Sequence, residues 1–294
     1  MGMKMLSVAL AAIALGAVTV GPASAADGNP VIEITSAVDD KCVQIKFEPK
    51  PEQPRLVLAD CTGAPEQRWE QMSVGGDKFV LRNLTHSGCV DTSVSLTHDY
   101  CDDLYEYQHG ELIPDGADTV RIKYGDKHFE HNGFTSVWGS RFKDTDHQRW
   151  RVRQVATTPP PADTAGQVVR MEVVGYDFGC LGVEGVPALK PMPCADAPAQ
   201  KFQRIELGDG GTALRSVVTG KCVEAEDGEE ALVHALNDCD AAKAGQRWSV
   251  NRTAVGNFRI QSGERHLTPG GDTMAAMQRY GNAIGWQTWY VTAA

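Results

Sequence analysis

The chain has 294 residues, 28 Lys and Arg against 38 Asp and Glu, a formal net charge of −10 and eight cysteines. Its acids are spread along the chain and no cluster of Lys and Arg offers a footprint for phosphates, which excludes nucleic acid as an expected partner and disfavours an anionic membrane surface. With 22% charged residues and ample Val, Leu and Ile, the composition is that of a globular protein rather than a disordered one.

Residues 1–25 are expected to be a signal peptide. Lys4 supplies a positive start, Leu6 to Val20 is an apolar run too short to span a membrane, and Ala23-Ser24-Ala25 is an A-x-A cleavage site. The mature chain would begin near Ala26 and be secreted, an extracellular protein. No second long apolar run follows, so membrane insertion is not expected.

Beyond that point the elements are short strands and turns. Val31-Ile32-Glu33-Ile34, Phe79-Val80-Leu81-Arg82 and Val120-Arg121-Ile122-Lys123 alternate as strands do. Gly75-Gly76, Pro114-Asp115-Gly116, Gly208-Asp209-Gly210-Gly211 and Pro269-Gly270-Gly271 read as turns between them. Residues 156–166, with Pro159-Pro160-Pro161, read as an extended spacer, because proline donates no ladder hydrogen bond. No segment after the leader keeps helical periodicity for three turns.

One unit recurs along the chain. Gln-Arg-Trp stands at residues 67–69, 148–150 and 246–248, with weaker versions at Gln200-Lys201-Phe202 and Gln287-Thr288-Trp289 and a worn one at Gln108-His109-Gly110. Most of these units carry Cys-Val or Cys-Leu upstream and a second Cys before the Gln. Six echoes about 40 residues apart define a repeat protein, since a period of that size sets architecture before any single residue does.

The recurring pattern Cys-Val-x … Cys … Gln-x-Trp resembles the ricin-B-type (R-type) lectin family of β-trefoils. The resemblance implies an all-β fold of two tandem β-trefoil domains of three repeats each, stapled by disulfides. The first would cover residues 30–155, the Pro-rich linker 156–166, and the second 167–294. Eight cysteines allow 105 pairings. The repeat register implied by the resemblance selects Cys42–Cys61, Cys89–Cys101, Cys180–Cys194 and Cys222–Cys239. It also implies that Trp69, Trp150, Trp248 and Trp289 are core residues and that the Gln side chains satisfy nearby backbone groups.

Sites in that family use a carboxylate two residues after the first Cys, a ring about ten residues before the Gln, and an amide just before it. The acid accepts hydrogen bonds from sugar hydroxyls and the ring stacks on the apolar face of the pyranose. Carried over, repeat two offers Asp91, with Tyr100 one position off the ring place and Tyr107 before Gln108. Repeat three has His128 in place of the first Cys but keeps Glu130, Trp138 and His147. Repeat one has Gln44, Ala59 and Glu66 at the three places, and repeat four has Gly182 for the acid. Repeat five has Glu224 with Leu236 and Asn237 where the ring belongs. Repeat six has Thr268, with Asp272 and Tyr280 in its loop. No repeat holds all three parts, so the carbohydrate-binding candidates are Asp91, Tyr100, Tyr107, Glu130, Trp138 and His147.

Other readings compete with this one. His128, Glu130 and His131 invite a metal, but on a strand only positions 128 and 130 share a face, so no metal site and no cofactor are expected. The stretch Asp99 to Tyr107 reads either as an exposed tyrosine-rich acidic patch suited to recognition or as a repacked loop. No nucleophile elbow, His-Glu-x-x-His, Walker loop or dinucleotide fingerprint occurs, so no enzyme is expected. The sequence therefore points to a secreted carbohydrate-binding protein without catalytic activity, its partner a glycan or glycoprotein. The alternative is a protein-interaction trefoil with decayed sugar sites, such as a targeting subunit of a secreted toxin or an inhibitor, which would bind a separate protein chain.

Overall fold

The computed structural model describes residues 28–46, 54–85, 88–92, 100–133, 135–159, 162–174, 179–185, 189–225, 235–269, 275–279 and 287–294. The expected signal peptide, Asp272, Tyr280 and the middle of the spacer lie outside them. The first half contains β1 (Pro30–Ser36), β2 (Cys42–Lys46), β3 (Arg55–Ala59), β4 (Trp69–Gly75), β5 (Lys78–Asn83), β6 (Gly110–Pro114), β7 (Val120–Tyr124), β8 (Lys127–His131), β9 (Val137–Ser140) and β10 (Trp150–Thr157). Six of these strands pair in a closed ring, β1 to β4, β4 to β5, β5 to β6, β6 to β7, β7 to β10 and β10 back to β1. The remaining four form the hairpins β2–β3 and β8–β9. Closure leaves the barrel with no free edge to attract another chain.

The second half repeats the plan with β11 (Val168–Val173), β12 (Cys180–Val183), β13 (Leu189–Met192), β14 (Phe202–Leu207), β15 (Gly211–Ser216), β16 (Cys222–Glu224), β17 (Ala235–Asn237), β18 (Ser249–Arg252), β19 (Phe258–Ser262), β20 (Arg265–Pro269), β21 (Ala275–Arg279) and β22 (Thr288–Ala293). Here β11, β14, β15, β18, β19 and β22 close the ring, with β15 meeting the start of β18 through the Thr212–Trp248 bridge. Hairpins β12–β13, β16–β17 and β20–β21 complete three repeats. Both halves are β-trefoils. Strand β10 runs two residues past the expected boundary, pairing Ala156 with Val31 and Thr157 with Pro30.

The recurring tripeptide builds the cores. Trp69, Trp150, Trp248 and Trp289 are all buried, and each indole N–H donates to a carbonyl in its own repeat: Val43, Phe129, Val223 and Leu267, at 3.0–3.2 Å. Burial of a ring this size is favourable only when its one donor is satisfied. In repeats one, three and five the Gln two residues upstream sits at the end of a 3-10 turn and ties the preceding loop. Gln67, for example, accepts from the Thr62 amide at 2.9 Å and donates to the Asp60 carbonyl at 2.8 Å. Repeat two lacks the ring, and Gly110 takes its place. A Cβ there would lie 2.6 Å from Phe79 and 2.8 Å from Tyr124, so these two rings have taken the missing indole's volume. Tyr124 in turn stacks on Phe129, with centroids 5.3 Å apart.

All four disulfides join the expected cysteines. Repeat three, without cysteines, shows a substitute. His128 lies opposite Ser140 as Cys42 lies opposite Ala59, and Phe142 follows Ser140 by two residues as Cys61 follows Ala59. The His128 and Phe142 rings lie 5.4 Å apart, in contact where the bridge would be.

The two halves also touch. Val255, in the β18–β19 turn, completes a small core with Met72, Val80 and the Cys89–Cys101 bridge. Around it Asn257 donates to the Cys101 carbonyl at 2.8 Å, the Ala254 amide to Asp103 at 3.0 Å, and Arg259 to both Asp102 and Asp103. Asp102 is fully buried. Much of the acidic stretch before Tyr107 is therefore an interface within the chain, which favours the repacked loop over the open recognition patch; Leu104, Glu106 and Tyr107 keep broad exposure there.

Candidate functional site

Repeat two does not assemble the site its sequence suggests. Asp91 is fully buried and Tyr100 nearly so, whereas Tyr107 is exposed. Asp91 is thus a core acid rather than a surface turn acid. Its charge adds to the effect of burial in pushing the Tyr124 phenol well above the ordinary tyrosine range. The Tyr100 carbonyl accepts from Gln108, and the Gln108 oxygen accepts from the Asp102 amide, so the loop is knotted around the worn Gln rather than opened for a ligand.

Repeat three brings two of its three parts together. Glu130 on β8 lies directly opposite Trp138 on β9, and directly opposed residues of an antiparallel pair share a face with Cβ atoms about 5 Å apart. Trp138 is partly buried, one side resting on the core. Glu130 accepts from Lys143 Nζ at 2.9 Å, from Gln148 Nε2 at 3.1 Å and from the Ser140 hydroxyl. Burial by itself would raise this carboxyl, but the three hydrogen bonds and the lysine's charge hold it below the ordinary glutamate range. His147 does not join this group: its ring turns onto His131, with centroids 4.6 Å apart and Nδ1 to Nε2 at 3.4 Å.

A network of charges holds the loop that carries Lys143. Arg121 bridges Asp115 at 2.8 Å and Asp144 at 2.6 Å, and Arg149 bridges the same two acids at 2.9 and 3.1 Å. Asp144 has a φ of 50°, a left-handed conformation that Asp tolerates better than most residues, and the paired arginines anchor it there. Arg121 also lies over the exposed Phe142 ring, 4.7 Å from its centroid. Spacing counted in sequence pointed to neither Ser140 nor Lys143; strand register identifies Ser140, and only the folded loop identifies Lys143.

The other repeats differ at the acid place. In repeat five Glu224 accepts from Gln246 at 2.6 Å, Asn237 at 3.0 Å and Lys243 at 3.3 Å, and it too lies below the ordinary range for the same balance of causes. The residue opposite Glu224 is Ala235, so the ring is missing. In repeat one Gln44 accepts from Gln67 at 3.0 Å, and Val57 is opposite. In repeat four a Cβ on Gly182 would fall 2.5 Å from Met192 Sδ, so the thioether closes the place. In repeat six Thr268 is fully buried.

A serine, a histidine and an aspartate also converge near repeat three. Ser36 Oγ lies 3.1 Å from His131 Nε2, and His131 Nδ1 lies 3.5 Å from Asp39. Ser36 is fully buried, however, and its oxygen also accepts the amides of Val38 and Asp39. A nucleophile needs an open path to its substrate, and this hydroxyl instead caps the β1–β2 turn. Burial and the neighbouring His147 push His131 below the ordinary histidine range, which suits a neutral core imidazole.

No family model matches the chain, and no curated protein matches it at the significance required. Similar solved structures include the Macrolepiota procera ricin B-like lectin in complex with lactose, with 18% identity over 45% of this chain and 99% of that one and a TM-score of 0.38. The agglutinin from Abrus precatorius is 17% identical over 90% of this chain and 96% of its own, with a TM-score of 0.35. A mosquitocidal holotoxin is 10% identical over 90% of this chain and 34% of its own, with a TM-score of 0.38, so the chain spans about a third of that protein. At such scores the likenesses decide nothing by themselves; the fold rests on the closed barrels and their repeats.

Proposed function

We propose that this chain is a secreted, non-catalytic carbohydrate-binding protein whose principal site is repeat three of the first trefoil. One observation carries the proposal: Glu130 and Trp138 lie directly opposite each other on the β8–β9 hairpin, an acceptor for hydroxyls beside a ring for the pyranose face. Gln148 orients the carboxylate, and the Arg121–Asp144 anchor holds the loop alongside. Such a site is shallow and binds weakly alone, and a second site in the same chain would raise avidity without new contacts. Titration of the exported protein against a glycan library tests the proposal. Trp138→Ala is expected to weaken binding by about 1–3 kcal/mol with the fold retained.

The observation favouring the second reading is that repeats one, four and six lack an acid and repeat two buries its own. On that reading the sugar sites have decayed and the trefoils target or inhibit another protein. Failure of the protein to bind any glycan at millimolar concentration would favour that reading over the first.

A further inference from the structure

The two repeats with a glutamate at the acid place share a feature absent from the other four. Taking the acid place in order, the repeats have Gln44, Asp91, Glu130, Gly182, Glu224 and Thr268. Between the second half-cystine place and the Gln, only repeats three and five contain a lysine, Lys143 and Lys243. These two loops differ in length and sequence, and the lysines stand five and three residues before their Gln. Both ammonium groups nevertheless arrive on the carboxylate, at 2.9 Å from Glu130 and 3.3 Å from Glu224. Both acids are otherwise held alike, by the Gln and by a polar residue across the hairpin, Ser140 or Asn237. The lysine side chains are 50% and 46% exposed and the acids 11% and 20%, so each ammonium covers its carboxylate from the solvent side.

We infer that Lys143 and Lys243 occupy the place of a ligand's cationic group, and that the two glutamate sites select a glycan bearing free amines, a 2-amino-2-deoxy sugar rather than a neutral or N-acetylated one. This deepens the glycan-binding proposal above and rests on it. A neutral hydroxyl that displaces the lysine still donates to the carboxylate but gives up the attraction between opposite charges. A sugar ammonium exchanges like for like, and the released lysine returns to water at little cost, because a half-exposed ion pair contributes little. The net charge of −10 favours a polycationic ligand in the encounter as well. In repeat three Trp138 adds a stacking surface for the ring; repeat five lacks one and binds on charge and hydrogen bonds alone.

The test compares three β-1,4-linked tetramers of the same backbone, glucosamine, glucose and N-acetylglucosamine, by calorimetric titration of the mature protein. The glucosamine tetramer is expected to bind about tenfold more tightly than the glucose tetramer, with the preference shrinking as ionic strength rises. Glu130→Gln with Glu224→Gln should erase the preference, while Lys143→Met with Lys243→Met should strengthen binding of every tetramer that binds by about threefold. Equal affinity for the glucosamine and glucose tetramers overturns the inference and leaves glycan binding standing. A preference that survives in the double Gln variant also overturns it, since the attraction would then belong to the whole acidic surface. Weaker binding after the Met substitutions shows that the lysines serve the ligand rather than stand in for it, and overturns it too. No binding of any glycan overturns both proposals.

Discussion

Repeats two and three have each lost one part of the common unit, and the losses had opposite consequences. Repeat two kept its disulfide and lost the tryptophan. Phe79 and Tyr124 moved into the vacated volume, and Asp91 and Tyr100 became core residues. Repeat three kept the tryptophan and lost the disulfide. A contact between His128 and Phe142 took over that place, while Glu130 stayed near the surface beside Trp138. Repeat three thus keeps Glu130 opposite Trp138 without the staple, whereas repeat two, without the indole, buries both Asp91 and Tyr100. A second difference reinforces the first: repeat two is where the other trefoil docks, through Val255, Asn257 and Arg259, and nothing comparable covers Glu130 among the described residues.

The strongest way to break this contrast is in the cores. Trp150→Ala is expected to cost about 3–5 kcal/mol in chemical denaturation, because the cavity cannot collapse within a closed barrel. Adding volume to repeat two should destabilise as well: Gly110→Ala is expected to cost about 1–3 kcal/mol through collision with Phe79 and Tyr124. A neutral Gly110→Ala would mean that Phe79 and Tyr124 do not tightly fill the space beside Gly110.

Next in size is the junction. Removing Arg259 leaves the buried Asp102 without its ion-pair partner, and Arg259→Met is expected to cost about 3 kcal/mol. Limited proteolysis should nick the spacer between residues 155 and 166. The two fragments should then co-elute on size exclusion for the native chain and separate for Arg259→Met. Separation of the native fragments would mean that the contact needs the covalent tie.

The smallest expected effect is in the pH dependence, where the two repeats should differ in sign. Glu130 is held below its ordinary range, so its contribution is present above roughly pH 4 and lost as pH falls through its lowered folded value. Asp102 runs the other way. Burial, assisted by Asp103, raises it despite Leu104 and Arg259, so its carboxyl is better tolerated protonated, and stability is lost as pH rises through its folded value. Thermal unfolding from pH 3 to 7 should therefore flatten on the acid side in Glu130→Gln and steepen there in Asp102→Asn. Identical profiles for both variants would remove the electrostatic side of the contrast.

The repeats, the four disulfide pairs and the buried tryptophans were legible in sequence because each depends on spacing inside one unit of about 40 residues. The pairing of Glu130 with Trp138 was legible for the same reason. Ala59, eight residues before Gln67, was the wrong ring place in repeat one: strand register puts Val57, ten before that Gln, opposite Gln44, just as Trp138 stands ten before Gln148. In repeat five the same count falls on Leu236, whereas register puts Ala235 opposite Glu224. The loop between hairpin and Gln is one residue longer there, so only register fixes the position across the hairpin.

Local sequence thus determined which elements form, which cysteines pair and which rings enter the cores, since these contacts close over short stretches of chain. Tertiary structure decided how deeply each acid is enclosed. Asp91 and Glu130 stand at the same step of the same unit, yet Asp91 is fully enclosed, whereas Glu130, though buried, keeps an edge beneath the half-exposed Lys143. Asp102 and Asp103 look like solvent-facing acids until Arg259, more than 150 residues away, reaches them. The lysines on Glu130 and Glu224 belong to the same class, because a flexible side chain finds its partner only after the loop beneath it has been folded into place.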